Sequence, residues 1–220
     1  IVIAIVGAES TGKSTLAHAL ARRIADETRS TCASVDEHLR TWCEQMRRTP
    51  RIDEQRGIAQ TQQERIAQAA AMHDVVVADT TALMIAVYSR YVFNDRSLDG
   101  WAGAEHAASV QHTLVTALDL PWVADGLQRD GAHVREPVDA LLRELLATHR
   151  IAWSRIAGSG TARTETALDA VAPHLRTLAA PRRGLFTRLE QRDAAQPDRP
   201  WSCDCDRPDC EHALRRTGRG

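Results

Sequence analysis

The stretch GAESTGKST, residues 7–15, decides the fold. It matches the pattern G-x-x-x-x-G-K-[ST], in which a glycine-rich turn presents backbone N–H groups to a phosphate. The apolar run IVIAIV before it predicts a buried strand, and KSTLAHALARRIADE after it has apolar residues at helical spacing. Strand, glycine-rich turn and helix in this order are the context that the pattern requires. The sequence therefore predicts a phosphate-binding P-loop.

Lys13 is the only lysine among the 28 lysine and arginine residues of the chain. A compact ammonium group on a flexible stem can follow a moving phosphoryl group, and the planar fork of arginine is a poor substitute. We therefore expect Lys13 to reach the β- and γ-phosphates of ATP. The predicted ATP-binding residues of the loop are Gly7, Glu9, Ser10, Thr11, Gly12, Lys13, Ser14 and Thr15.

A magnesium ion is expected beside these phosphates. Ser14 places a hydroxyl group where Mg²⁺ would sit, and P-loop proteins usually supply a further carboxylate at the end of a neighbouring strand. The run VVVAD predicts such a strand, and it ends at Asp79. Asp79 is therefore predicted to hold the metal, directly or through water. The alternatives are a polar residue at the end of the strand and a cap of the helix predicted from DTTALM.

Strand and helix patterns alternate along the chain, which predicts an α/β P-loop NTPase fold with a parallel sheet and flanking helices. Pro, Arg and Asp dominate from about residue 180. We expect a P-loop domain over residues 1–178, a linker over 179–200 and a Cys/His tail over 201–220. Further strands are predicted in TCASVDEH, which runs into a polar loop, and in TLVTALDL and IAWSRIAG. NDRSLDGWAG is predicted to be a turn-rich break and PWVADGLQRDGAHVREP a loop.

Composition limits the class of partner. The 220 residues carry a net charge of −1, so no global field attracts nucleic acid or an anionic membrane. The opening apolar run leads directly into the motif and is not expected to be a secretory signal, and no run approaches the ~18 apolar residues of a membrane span. Five cysteines are an odd number and fit a reducing cytosol. We therefore expect a cytoplasmic protein with a small-molecule partner.

Four segments in order resemble the ribosylnicotinamide kinase domain of NadR-type proteins: GAESTGKSTL, VDEHLR, ADTTALMIAVYSRYVF and DLPWVADGLQRD. The resemblance covers roughly residues 1–175. It implies an enzyme of NAD metabolism that transfers the γ-phosphate of ATP to the 5′-hydroxyl of nicotinamide riboside. The sequence has no H-x-G-H nucleotidyltransferase signature, so only kinase chemistry is expected of it. The alternative is a P-loop ATPase or regulatory switch that acts on a protein partner.

The resemblance also implies an acceptor site after the second strand. The acidic-x-x-Arg element of the family matches Glu37 and Arg40. Glu37 is therefore the first candidate for the base that orients the acceptor hydroxyl and takes its proton, and Asp36 is the second. A solvated loop carboxylate is the alternative for either. Where relatives often have Asp-Thr-Asp, this chain has a threonine, Thr81, in place of the second acid.

DGLQRDGAHVREP resembles the lid of such kinases, whose arginines can cover charge on the transferred phosphoryl group. Arg129 and Arg135 are the candidates, with surface charge as the alternative. Arg163, in GSGTART, is a candidate for stacking on adenine. Three aromatic residues could stack on a nicotinamide or another flat ring, or could simply pack in the protein: Tyr88, Trp101 and Trp122.

The segment CDCDRPDCEH contains four candidate metal ligands: Cys203, Cys205, Cys210 and His212. Thiolates with an imidazole suit tetrahedral Zn²⁺. The pattern C-x-C-x4-C-x-H is similar to SWIM-type zinc modules, C-x-C…C-x-H, with a shorter middle spacer. Structural zinc is one prediction, and a disordered, redox-sensitive tail is the alternative.

Overall fold

A single parallel sheet of five strands forms the centre of the part that the computed structural model describes, residues 1–123, 131–176 and 178. The order across the sheet is β2-β3-β1-β4-β5. The strand that leads into the P-loop is therefore central, between β3 and β4. The bounds are β1 Val2–Val6, β2 Cys32–Val35, β3 Val75–Asp79, β4 His112–Thr116 and β5 Trp153–Ile156.

Helices connect the strands and cover both faces of the sheet. Short 3₁₀ turns at Ile52–Glu54 and Ala132–Val134 precede the third and sixth helices. The helices are α1 Lys13–Glu27, α2 His38–Met46, α3 Gln55–Met72, α4 Ala82–Phe93, α5 Asp99–Ser109, α6 Arg135–Thr148 and α7 Gly160–Leu175. This is the predicted α/β P-loop architecture.

Alternate residues of β1 face two different cores, as the two-residue period of a strand requires. Ile3 and Ile5 pack with α1 and α7 on one face of the sheet. Ala4 and Val6 pack with α4 and α6 on the other face. Because both faces are covered, β1 and β3 are buried along their length and are apolar except for Asp79, and this is why they could be recognised in the sequence.

Three boundaries differ from the sequence prediction. The polar loop predicted after β2 is short, because α2 begins at His38 and buries Cys43. The predicted turn-rich break ends earlier, because α5 begins at Asp99. Similarly, α6 begins at Arg135, inside the predicted loop. No helix of the described residues combines the length and the apolar character needed to cross a bilayer.

Candidate functional site

The P-loop has the backbone of an anion cradle. Gly7 and Gly12 have φ values of 151° and 73°, and Ser10 between them has a φ of 54°. A Cβ atom on Gly7 would collide with the Thr116 hydroxyl in β4, so only glycine fits there. Gly12 is the residue before α1, so the loop ends at the N-terminus of that helix. Backbone N–H groups and the helix dipole together favour a phosphate at this position.

Buried hydrogen bonds stabilise the conformation of the P-loop. The Thr11 hydroxyl donates to the Ala8 carbonyl at 2.7 Å, and its Oγ1 lies 2.7 Å from Oγ1 of Thr116. Arg163 is 4% exposed and donates from Nη2 to the Thr11 carbonyl at 2.7 Å. Its Nη1 donates to Asp119 Oδ1 at 3.1 Å and to the Gly158 carbonyl at 2.7 Å.

Arg163 therefore links α7 and the β5–α7 loop to the P-loop, a role that its sequence context did not reveal. It also lines a cavity of about 510 Å³ together with Gly12, Thr15 and Thr161. Stacking of Arg163 on adenine stays a prediction. That cavity lies on the side of the P-loop where α1 and α7 begin.

Two further cavities meet at the P-loop. The first cavity, of about 410 Å³, has mostly apolar walls from α2, α4 and the segment before α3. The second cavity, of about 610 Å³, runs along the P-loop itself. The first is lined by Gly7, Glu9, Lys13, Glu37, Leu39, Thr49, Pro50, Arg51, Ile52, Gln55, Thr80, Met84, Tyr88, Val92 and Phe93. The second is lined by Ser10, Thr11, Gly12, Lys13, Ser14, Thr15, Glu37, Arg40, Leu120, Pro121 and Val123.

Of the described residues, Lys13 and Glu37 line both cavities. Lys13 Nζ donates to the Ala8 carbonyl at 2.9 Å, which holds the ammonium group over the loop. Glu37 is half-buried and directly precedes α2. The boundary between the cavities thus carries one cation and one carboxylate, the pair needed to pass a phosphoryl group to a hydroxyl group.

The structure separates the two candidate bases. Asp36 is exposed, and its Oδ1 lies 2.9 Å from Nε2 of His18 on α1. Asp36 is not part of the lining that the structure gives for either cavity, whereas Glu37 lines both. Arg40, from the same acidic-x-x-Arg element, lines the second cavity. Glu37 as the base stays a prediction, with its position between the two cavities in its support, and Arg40 lies beside the P-loop.

Asp79 ends β3 and lies next to Ile5 of β1 in the sheet. Its side chain is 2% exposed, and its Oδ1 has no hydrogen-bond partner in the described part of the chain. The capping alternative does not hold, because Thr81 is the N-cap of α4 and accepts from the Leu83 N–H at 3.3 Å. A buried carboxylate oxygen without a partner, with the Ser14 hydroxyl on the loop, fits the oxygen ligands that Mg²⁺ prefers.

Thr81 also belongs to a buried network. Its Oγ1 lies 2.9 Å from Nδ1 of His106 in α5, and Nε2 of His106 lies 2.8 Å from Oγ1 of Thr113 in β4. Burial lowers the pKa of His106 to about 4. The imidazole is therefore neutral at physiological pH. Thr81 thus fixes the start of α4.

Glu9 ties the P-loop to the residues on either side of 124–130. It is 2% exposed, and its Oε1 accepts from the Trp122 indole N–H at 2.9 Å and from the Gly131 N–H at 3.1 Å. Ser10 adds a second link, since its Oγ accepts from the Val123 N–H at 2.8 Å. The predicted position of Glu9 in the site is compatible with this geometry. An acid suits position 9 of the loop because its carboxylate oxygen accepts both of these N–H groups.

The remaining predicted residues have different outcomes. Arg129 lies outside the described residues. Arg135 is 8% exposed, donates from Nη1 to the Leu120 carbonyl at 2.9 Å, and its role in a lid stays a prediction. Tyr88 lines the first cavity, whereas Trp101 packs against the core with Arg56 over its ring. Trp122 contacts Glu9 as described above.

The proposed zinc ligands, Cys203, Cys205, Cys210 and His212, also lie outside the described residues. Among the residues that are described, no group of three or more His, Cys, Asp or Glu side chains could hold a metal ion. The zinc prediction therefore depends on the sequence pattern alone.

Comparison with known proteins gives a family and a fold. A family model described as an AAA domain matches residues 2–163. A NadR protein crystallised in complex with NR is 20% identical, with a TM-score of 0.64 over 78% of this chain and 50% of that chain. A NadR protein in complex with NAD and AMP-PNP is also 20% identical, with a TM-score of 0.60 over 78% of this chain and 48% of that chain. The chain thus spans about half the length of these proteins.

A smaller protein matches over its whole length. Deoxyadenosine kinase from M. mycoides, crystallised with the products dcmp and dcdp, is 12% identical, with a TM-score of 0.52 over 79% of this chain and 100% of that chain. No curated protein matches the chain in sequence. These likenesses confirm the predicted P-loop fold and the predicted resemblance to NadR proteins.

Proposed function

The chain belongs to this AAA domain family, and we propose that it is a P-loop kinase that transfers the γ-phosphate of ATP to a hydroxyl group of a nucleoside. The observation that carries the proposal is the meeting of the first and second cavities at Lys13 and Glu37. The second cavity has the P-loop backbone and suits the phosphates of ATP. The first has apolar walls and a volume of about 410 Å³, within the ordinary range for small-molecule sites.

The residues around this boundary have complementary roles in the proposed reaction. The oxygen of the acceptor hydroxyl attacks the γ-phosphorus, and Glu37 accepts the proton that this hydroxyl loses. Lys13 balances the negative charge that builds up on the transferred group, and Arg40 adds a second positive charge along the second cavity. The two positive charges stabilise the transition state more than the ground state, because the negative charge on the transferred group is greatest during transfer.

Ser14 and Asp79 would hold Mg²⁺ beside the phosphates. The ion would neutralise phosphate charge and orient the γ-phosphate for attack. Oδ1 of Asp79 is buried at the end of the strand beside β1 and has no hydrogen-bond partner among the described residues, which supports this role. Arg163 contributes indirectly, since its hydrogen bond to the Thr11 carbonyl keeps the loop in its phosphate-binding conformation.

We propose nicotinamide riboside as the acceptor. The sequence resemblance to the NadR-type kinase domain supports it, and one of the structurally similar NadR proteins was crystallised with NR. The apolar walls of the first cavity, which include Tyr88 and Phe93, suit a flat aromatic ring.

The test is to incubate the full chain with ATP, Mg²⁺ and a panel of nucleosides that includes nicotinamide riboside. We expect a new nucleoside monophosphate, formed in step with ADP, and no product from Lys13→Ala. ADP formed at the same rate without any nucleoside would contradict the proposal and favour the alternative, a P-loop ATPase or regulatory switch. Monophosphate formed only from another nucleoside would keep the kinase and correct the acceptor.

A further inference from the structure

Gln55 is a buried residue that lines the first cavity. It is the first residue of α3 and is 5% exposed. Its side chain makes no hydrogen bond to another described residue. An amide offers two N–H donors and one carbonyl acceptor, and neither amide atom of Gln55 is fully buried, so both are accessible to a ligand. A ligand in the first cavity is the partner that this side chain fits.

Gln62, seven residues further along α3, shows what a structural glutamine looks like in this protein. It is fully buried, and both ends of its amide are paired within the protein. Its Oε1 accepts from the His38 N–H at 2.7 Å, and its Nε2 donates to the Thr80 carbonyl at 3.4 Å. Residues seven apart lie on the same face of a helix. Gln55 is thus on the inward face of α3 but has no such partners in the part of the chain that the structure describes.

The surroundings of Gln55 define the chemistry of its ligand. Leu39, Met84 and Tyr88 give the first cavity apolar walls, against which a flat ring can pack. In such surroundings a primary amide pairs best with a neighbouring donor and acceptor in one plane. A primary carboxamide and the hydrogen-bonding edge of a nucleobase both have this arrangement.

The described lining of the first cavity holds two carboxylates and two cations, so neither sign of charge dominates and a neutral partner suits it. Glu9 and Glu37 both line it, and an anionic base would face them. Of the cations in the lining, Lys13 lies on the P-loop, and Arg51 is exposed with Nη2 3.2 Å from Oε1 of Glu54. Gln55 itself adds no charge.

We propose that Gln55 selects the acceptor, by pairing its amide with an adjacent donor and acceptor on the base of the nucleoside. The proposal rests on the proposed kinase function. It assigns the substrate class as nucleosides whose base carries a carboxamide or an equivalent neutral edge, and it disfavours the matching carboxylates.

The test compares Gln55→Leu and Gln55→Glu with wild type and with Gln60→Leu, which changes an exposed glutamine of the same helix. The acceptors are nicotinamide riboside, nicotinic acid riboside and the best other nucleoside of the panel. We expect Gln55→Leu to lower kcat/KM for the preferred acceptor about 10- to 100-fold, through loss of paired hydrogen bonds. The KM for ATP and the activity of Gln60→Leu should not change.

Gln55→Glu tests the pairing itself. Its carboxylate can accept but not donate, so we expect a loss with the carboxamide and a larger loss with nicotinic acid riboside, because two carboxylates would meet. Equal kcat/KM for wild type and Gln55→Leu on every acceptor would overturn the role of Gln55 and leave the kinase intact.

Calorimetric titration of the same nucleosides keeps the two proposals distinguishable. If wild type phosphorylates no nucleoside, the kinase proposal fails. In that case, binding of a nucleoside to wild type but not to Gln55→Leu still supports Gln55 as the residue that recognises the base. If neither protein binds any of them, the inference is overturned.

Discussion

Two neighbouring carboxylates are candidate bases in the sequence, Glu37 first and Asp36 second, and the fold places them in different surroundings. Asp36 turns to His18 on α1, whereas Glu37 lines both cavities. A difference of one residue decides the direction of a side chain at the start of a helix, and the local sequence VDEH does not encode that direction. The assignment therefore needed the packing of α2 beside the P-loop.

Replacing Glu37 by Gln should reduce kcat at least about 100-fold, because a positioned general base contributes about 10²- to 10⁴-fold. The amide keeps the size of the side chain but cannot take the proton. The KM for ATP should stay within about twofold, since the base acts on the acceptor. Steady-state kinetics with the best acceptor would measure both constants.

The matched control is Asp36→Asn, which removes the neighbouring charge outside the two cavities and should leave kcat nearly unchanged. The opposite pattern, with the larger loss in Asp36→Asn, would move the base to Asp36. Equal losses in kcat and in ATP affinity for Glu37→Gln would instead assign Glu37 to nucleotide binding.

The elements of the fold could be predicted to different extents, for physical reasons. β1 and β3 are covered on both faces, so they form continuous apolar runs, and the P-loop between β1 and α1 is contiguous in sequence. Helix α2 buries only Cys43 completely, so its pattern is weak. The first cavity could not be predicted, because Leu39, Gln55 and Tyr88 come from three helices that only the tertiary packing brings together.

Arg163 is predicted to be a structural link between α7 and the P-loop. Arg163→Leu would remove its hydrogen bonds to Thr11, Gly158 and Asp119. We expect the free energy of unfolding to fall by about 2 kcal/mol, because paired groups in a buried site lose their partner. The KM for ATP should rise as the loop loosens. Urea denaturation and ATP titration would measure the two effects.

Arg155→Leu is the matched control, since Arg155 is exposed on β5 and should be nearly neutral in both measurements. If Arg163→Leu kept its stability but lost ATP affinity, direct contact with the nucleotide would be favoured, as the stacking prediction has it. Unchanged values in both measurements would refute the structural link.

The buried His106 predicts a loss of stability in acid. Its folded-state pKa of about 4 lies below the ordinary value near 6.5, so the unfolded chain binds the proton first. The stabilising contribution is complete above about pH 6.5 and is lost as the pH falls toward 4. Between pH 7.5 and pH 5, the free energy of unfolding should fall by about 2 kcal/mol from this group alone.

Urea denaturation of wild type and His106→Gln at pH 7.5, 6 and 5 would test this. The glutamine does not titrate, so the difference in stability between the two proteins should shrink as the pH falls. Burial also lowers the pKa of His112, so this residue reduces stability in acid in the same direction. Because His112 is present in both proteins, its contribution cancels in the comparison. A constant difference across the three pH values would show that His106 does not titrate between them.

At the scale of the whole molecule, the described residues form two large cores on the two faces of the sheet, within the proposed domain of residues 1–178. One core lies between the sheet and α1 with α7, and Leu178 packs against its edge. The other lies between the sheet and α4 with α6. The division into this domain, a linker at 179–200 and a tail at 201–220 stays a proposal, and it implies that the first part folds without the others.

A chain ending after residue 178 should therefore keep the thermal midpoint of the full chain within a few degrees and keep kcat for the preferred nucleoside, because it retains every core and cavity residue that the structure describes. In the full chain, native mass spectrometry should show one bound zinc ion, lost on Cys205→Ser and in the shortened chain, since the tail pattern offers four ligands of the type that zinc prefers. Calorimetry of the shortened chain and its kinetics test the domain boundary, and the mass spectra test the metal separately. A shortened chain that aggregates or unfolds would show that residues beyond 178 complete the fold, and a metal-free mass for the full chain would leave the tail without its proposed ion.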